Sequence, residues 1–173
     1  KVDEEILFES NAIAEFLDET VPPRLHPEDP VERARNRAWT DFVPTFSSAL
    51  NGIYYTKTCE EMEEGLAKAP KAVERLEEAL SRQRSNDGPY FNGQELSLVD
   101  AAYAPFLQRF LIADRYLKTR LLDGFPLVRA WADALMSNEM VTGAVAPEFL
   151  DEFHGNMRRR EFYVATLMDD PGT

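Results

Sequence analysis

The sequence predicts a mainly α-helical protein entered through one short strand-to-helix step. Three observations carry this expectation. Capping residues mark helix starts at Asp29, Thr58 and Ser97. Behind each of them apolar residues recur every three or four positions. Only one run, Ile6-Leu7-Phe8 between acids, reads as a strand.

The strand is expected within residues 5–9. Ala12, Ile13, Phe16 and Leu17 then share one face of a helix over residues 10–17. Asp29-Pro30-Val31-Glu32 supplies an N-cap acid and a proline at the first helical position, so a long helix begins there, bent where Pro44 removes a donor. Val31, Ala34, Ala38, Trp39, Phe42, Phe46, Ala49, Leu50 and Ile53 keep the three-four spacing of one face. Thr58-Cys59-Glu60-Glu61 reads as a capping box opening a helix with Met62, Leu66, Val73, Leu76 and Leu80 on one side and Arg82 and Arg84 at its end. Ser85-Asn86-Asp87-Gly88-Pro89 is a loop by composition, and Asn92-Gly93 is a turn.

Ser97-Leu98-Val99-Asp100 opens a helix that is apolar nearly all round, which places it in the middle of a helical body. Asp100, at its third position, can return a hydrogen bond to the Ser97 amide, so its carboxyl is committed to the cap. Further helices are expected from Phe125-Pro126, with Leu127, Val128, Trp131 and Leu135 inward, and from Pro147, with Phe149, Leu150, Phe153 and Met157 inward and Arg158-Arg159-Arg160 as a solvated end.

The 173 residues suffice for one domain and part of another. With 44% hydrophobic and 11% aromatic residues the chain has the composition of a globular protein rather than a disordered one. Nineteen Lys and Arg against 31 Asp and Glu give a net charge of −12, whose field repels phosphate backbones and anionic lipid, so no nucleic-acid or membrane partner is expected. No apolar stretch approaches the roughly 20 residues that a membrane-spanning helix requires. The single cysteine, Cys59, cannot form an internal disulfide, so a reducing, cytoplasmic home is expected, and Cys59 reads as a passive small residue. His26 and His154 match no zinc spacing with it. They read as surface or packing histidines, and no metal is expected.

Chemistry is best placed at Glu9-Ser10-Asn11-Ala12-Ile13. A chain running into a helix start aims unpaired amides and the positive end of the helix dipole at one point. Ser10 at the N-cap could offer hydroxyl and amide to a carboxylate, while the Glu9 carboxyl holds a nearby ammonium. The pair suits the head group of a free amino acid.

The segment from Leu7 to Leu17 resembles the last strand and following helix of the glutathione-binding, thioredoxin-like half of cytosolic glutathione transferases. Asp29-Pro30 leading into a long Arg-bearing helix resembles that family's domain entry. Phe91-Asn92-Gly93 followed by Leu96-Ser97-Leu98-Val99-Asp100-Ala101-Ala102 resembles its buried helix with an N-capping box. The resemblance implies a fold in which residues 1–22 end a thioredoxin-like α/β domain and residues 29–173 form an all-helical C-terminal domain. It implies that Glu9 and Ser10 bind the γ-glutamyl end of glutathione as co-substrate, and that Ser97 and Asp100 form a folding element. It further implies a homodimer and a small hydrophobic electrophile or disulfide as second substrate, taken in a pocket walled from the helical domain. Phe42, Phe46, Tyr103, Phe106 and Phe110 are the candidates for that wall. Tyr103 leads because its hydroxyl needs a polar partner, which a rim would give.

The resemblance also implies a catalytic Tyr, Ser or Cys in elements that would precede Lys1, and no catalytic residue is assigned within these 173 positions. The sequence is therefore expected to be part of a longer chain. Two other readings remain open at this stage. One is a non-catalytic binding or assembly module built on the same fold. The other is an unrelated helical domain, for which residues 5–20 would show no strand-to-helix step.

Overall fold

The computed structural model describes residues 1–84 and 87–168. Its helices are α1 (Ser10–Thr20), α2 (Pro30–Tyr54), α3 (Cys59–Lys68), α4 (Pro70–Gln83), α5 (Leu98–Leu117), α6 (Pro126–Met136), α7 (Glu139–Thr142), α8 (Phe149–Arg159) and α9 (Tyr163–Met168), with a 3-10 turn at Leu121–Gly124. Among the described residues no helix is long and apolar enough to cross a membrane. Of the expected loop, Ser85 and Asn86 lie outside the described residues, as do the last five positions of the span 29–173.

The expected strand is not formed. Residues 6–8 have no regular structure, Ile6 and Phe8 are each 75% exposed, and the nearby pairing is an isolated bridge between Val2 and Glu5. A strand exists by exchanging hydrogen bonds with a neighbour, and no described segment lies alongside this one. The β pattern is present without its partner.

The α2 start follows the sequence: Asp29 accepts hydrogen bonds from the Val31 and Glu32 amides, both at 2.9 Å. Val31, Ala34 and Ala38, expected on the inward face, are exposed, and the buried face of α2 begins at Asn36 and Trp39. Pro44 lies within the helix and cannot donate to the Thr40 carbonyl. The next stretch departs from expectation, because the single helix anticipated from Thr58 to Arg84 is two. Pro70 has no amide for the Leu66 carbonyl, so α3 ends at Lys68 and α4 begins on the proline. The box at its front is also offset: the Thr58 hydroxyl accepts from the Glu61 amide, but the Glu61 carboxyl accepts from the Lys57 amide rather than from that of Thr58.

Toward the C-terminus the sequence reading finds α6 but misses α7 and α9. The helix expected from Pro147 begins at Phe149, with Phe153 and Met157 buried as anticipated and Phe149 half-buried, whereas Leu150, expected inward, is exposed. The Asn92-Gly93 turn is present, closed by a Tyr90–Gly93 bridge with φ of 131° at Gly93, a value that suits glycine.

Helix α5 occupies the centre, packed chiefly against α2 and also against α6 and α9. Trp131, Tyr54, Tyr103, Phe46 and Phe110 are its largest fully buried neighbours or members. The Ser97–Asp100 box forms, and Asp100 does more than cap. Its Oδ2 accepts from the Ser97 amide (2.8 Å) and hydroxyl (2.6 Å), and its Oδ1 accepts from the Phe91 amide (2.9 Å) and Trp131 Nε1 (2.6 Å). One buried carboxyl thus joins the Phe91 loop, α5 and α6.

A second carboxyl caps across helices. No side chain local to the α6 start caps it, and its Leu127 and Val128 amides donate instead to half-buried Glu77 of α4, at 3.0 and 2.8 Å. A carboxylate at a helix N-terminus also gains from the dipole. Glu77→Ala is expected to cost about 1–3 kcal/mol, the scale of losing such a cap. Chemical denaturation should show it as a lower midpoint at unchanged slope.

Candidate functional site

Glu9 immediately precedes α1 with φ 66° and ψ 120°, a conformation that costs a non-glycine residue strain. Its carbonyl accepts from the Ile13 amide at 3.0 Å, which makes Glu9 the cap position and Ser10 the first helical residue. This corrects the expected register, in which Ser10 was the cap. The reason is the backbone: with Glu9 turned to positive φ, the helix starts one residue earlier. The Glu9 side chain makes no capping bond, so the first amides of α1 are left without a side-chain acceptor.

Glu9 and Ser10 lie at the mouth of a cleft of about 570 Å³ between α1, α2 and α5. Thr40, Val43 and Pro44 of α2 face Ala101, Pro105 and Phe106 of α5 across it. Both facing helices carry a proline here, and neither Pro44 nor Pro105 can donate to the carbonyl four residues earlier. Small side chains at Ala14, Ala101 and Ala102 leave the room.

The five aromatic wall candidates separate. Phe106 is half-buried and lines this cleft with Glu9 and Ser10. Phe46, Tyr103 and Phe110 do not reach a surface; each is completely buried in the core. Tyr103 does not take the expected rim position, because its hydroxyl finds a partner inside, donating to the Trp39 carbonyl at 2.8 Å, and burial raises its pKa. Phe42 lies elsewhere on α2, against the edge of Trp39 and under the Arg75 guanidinium at 4.4 Å.

The sequence reading missed what holds α1 in place. Arg37 of α2 donates through Nε (3.0 Å) and Nη2 (2.5 Å) to Glu15 Oε2, and its guanidinium also approaches Glu19 at 3.5 Å. The other Glu15 oxygen meets Nε2 of His26 at 2.7 Å, and the His26 ring is almost wholly buried. Arg37 above all, with His26 adding to it against the cost of burial, lowers the Glu15 pKa. Asp18, also buried, accepts from the Leu25 and His26 amides and so ties the connecting loop to α1. His26 is a packing histidine in this arrangement. No signal in the spacing joins Glu15 to Arg37, since they lie on different helices.

Cys59 is half-exposed at the start of α3, with Sγ 3.8 Å from Glu63 Oε1, and does not line the cleft. Among the described residues no group of three His, Cys, Asp or Glu side chains could hold a metal ion.

Residues 60–134 match a family model described as glutathione S-transferase, C-terminal domain. The chain is 31% identical over 150 residues to a probable glutathione S-transferase, GSTU6, of Oryza sativa subsp. japonica, covering 79% of this chain and 62% of that protein. It is 34% identical over 121 residues to glutathione S-transferase L1 of Arabidopsis thaliana, covering 69% and 46% respectively. Among solved structures, glutathione transferase Omega 3C from Trametes versicolor superimposes with a TM-score of 0.72 at 28% identity, over 90% of this chain and 66% of that one. The chain spans less than two thirds of the length of these curated relatives. An unrelated helical domain, which the absent strand alone would favour, is set aside by these matches.

Proposed function

Because this chain carries the C-terminal domain of the glutathione S-transferase family, we propose that it works as part of a glutathione transferase. Residues 1–22 end the glutathione-binding unit, and the helical domain from residue 29 supplies the wall for a second substrate. The single observation that supports this reading is the strained, uncapped α1 start at Glu9 and Ser10, opening on a cleft. The Ser10 amide and hydroxyl receive the α-carboxylate of the γ-glutamyl group, and the Glu9 carboxyl receives its ammonium. The distance between those two charges on an amino acid is short, which suits adjacent residues. The Glu15–Arg37–His26 cluster acts on this site indirectly by holding α1 against α2.

The chemistry follows from what glutathione supplies. Its thiol must be present as thiolate to attack a small electrophile or a disulfide, and a donor beside the sulfur lowers the thiol pKa. None of the residues discussed above takes that role, which is assigned to the part of the relatives' length that this chain does not span. Phe106 offers an apolar face to the second substrate. A homodimer in the cytoplasm completes the reading, its copies related by a two-fold axis as is usual for such assemblies.

In the complete protein, Ser10→Ala is expected to weaken glutathione binding by about 1–3 kcal/mol, the cost of leaving a charged acceptor short of a donor. Titration calorimetry reads this directly, and an unchanged affinity removes Ser10 from the site. A second reading, a non-catalytic module on the same fold, is favoured if the complete protein neither binds immobilised glutathione nor turns over a general electrophile or disulfide.

A further inference from the structure

Each proline on the walls of the Glu9–Ser10 cleft stands beside the residue whose carbonyl it fails to bond. Pro44 of α2 and Pro105 of α5 line the cleft, and so do Thr40 and Ala101, the residues four positions before them. A helical carbonyl points along the axis toward the residue four positions on, so the gap within each pair opens on the cleft. Proline brings no N–H to that gap, and its ring crowds the carbonyl away from the helical ladder. Two backbone acceptors, the Thr40 and Ala101 carbonyls, therefore stand without their helical donors on facing walls.

The side chains of those walls add no donor. The Thr40 hydroxyl donates to the Arg37 carbonyl at 2.9 Å and the Ser47 hydroxyl to the Pro44 carbonyl at 3.2 Å, so each spends its hydrogen inside α2 and keeps only lone pairs. The other side chains that α2 and α5 turn to the cleft, Val43, Ala102 and Phe106 among them, are apolar. Among the described residues no Lys, Arg or His lines the cleft, and its acids are Glu9 at the mouth and Glu15, which Arg37 and His26 already hold. Side-chain donors are confined to Ser10 and Asn11 at the α1 start. A backbone carbonyl deprived of its helical donor has to be met by water or by a ligand.

We propose that the α2–α5 side of the cleft selects an uncharged molecule with an apolar ring and N–H or O–H donors, of the class of a primary aromatic amide, its ring against Phe106 and its donors for the Thr40 and Ala101 carbonyls. A ligand without donors displaces the water on these carbonyls and returns no hydrogen bond, which costs affinity. A carboxylate meets only lone pairs there and is repelled. That this molecule is the second substrate rests on the glutathione transferase reading, whereas its need for donors rests on the two prolines.

The test is equilibrium dialysis of naphthamide and its N,N-dimethyl derivative against the full chain, without glutathione. The primary amide is expected to bind about tenfold more tightly than the dimethyl amide, the scale of one or two neutral hydrogen bonds, and naphthoate should not displace it. Pro44→Ala combined with Pro105→Ala gives each carbonyl an amide N–H inside its own helix and should bring the two probes to within about twofold of each other. Phe106→Leu should weaken both probes by the same factor, which places them in this cleft. Equal binding of the two probes by the parent chain, a preference that survives the double substitution, displacement by naphthoate, or no effect of Phe106→Leu would each overturn the proposal. Failure of the complete protein to bind immobilised glutathione would instead remove the transferase reading and leave this donor preference standing.

Discussion

Asp100→Ala is expected to leave the chain unfolded or close to it. The substitution strands the Phe91 amide, the Ser97 amide and hydroxyl, and Trp131 Nε1, all of which donate to this one carboxyl in a fully buried setting. Each buried donor left without an acceptor costs about 1–3 kcal/mol, so the combined loss exceeds about 4 kcal/mol, a large part of the 5–15 kcal/mol that typically stabilises a domain. The conservative variant orders the effects. In Asp100→Asn one oxygen can still serve Phe91 and Trp131, while at the other position the Ser97 amide loses its acceptor and the Ser97 hydroxyl keeps the contact only as acceptor from the new amide. That variant should fold with a loss of about 1–3 kcal/mol. Ser97→Ala, which removes the hydroxyl alone, should lose about 1 kcal/mol. Urea denaturation followed by tryptophan fluorescence gives all three, since Trp131 reports on its own hydrogen bond. A loss in Asp100→Ala no larger than in Ser97→Ala would mean that the carboxyl is only a local cap.

How far these arrangements could be read beforehand depends on how local they are. The Asp29 and Ser97 caps and the apolar stripe behind each lie within a few residues of one another, so spacing reveals them. Pro70 was legible in principle: a proline twelve residues into an expected helix, with no amide to donate, signals the break that the structure has. The bonds from Asp100 to Phe91 and Trp131, the Glu77 cap on α6 and the Arg37 grip on Glu15 connect separate elements, and no periodicity encodes them. The strand at residues 6–8 failed for a related reason, since its pattern describes a surface that only a partner strand can complete.

The same limit governs the site. The Glu9-Ser10 pair was recognisable as charge chemistry at a helix start, but its register shifted by one residue because positive φ at Glu9 is a backbone property that the side chain does not announce. The aromatic candidates were chosen by helical spacing, which places Phe42, Phe46 and Phe110 on inward faces without saying what lies inside. Tyr103 shows the cost of that ambiguity. Its hydroxyl was expected to seek water at a rim, and the Trp39 carbonyl satisfies it in the core instead. Phe106 differs from its neighbours because α5 turns that position toward α1 and the cleft.

Two glycines on facing helices provide the second large effect, and they should respond with opposite signs. A Cβ added to Gly65 of α3 would stand 2.0 Å from the Gly52 carbonyl oxygen and 2.6 Å from its carbon. Both are backbone atoms of α2 with no rotamer to give way, so α2 and α3 must separate. Gly65→Ala is therefore expected to destabilise the chain by roughly 2–4 kcal/mol, at or above the usual cost of overpacking, even though alanine is the better helix former. A Cβ added to Gly52 meets nothing within 4 Å. Gly52→Ala should keep the propensity gain alone, up to about 1 kcal/mol, and raise the melting temperature. The contrast isolates close approach from helix propensity, because both positions are helical and both substitutions are identical. Equal and stabilising shifts at the two sites would show that α3 does not pack against α2 through Gly65. The packing of α3 and α4 beside the long helix would then need another explanation.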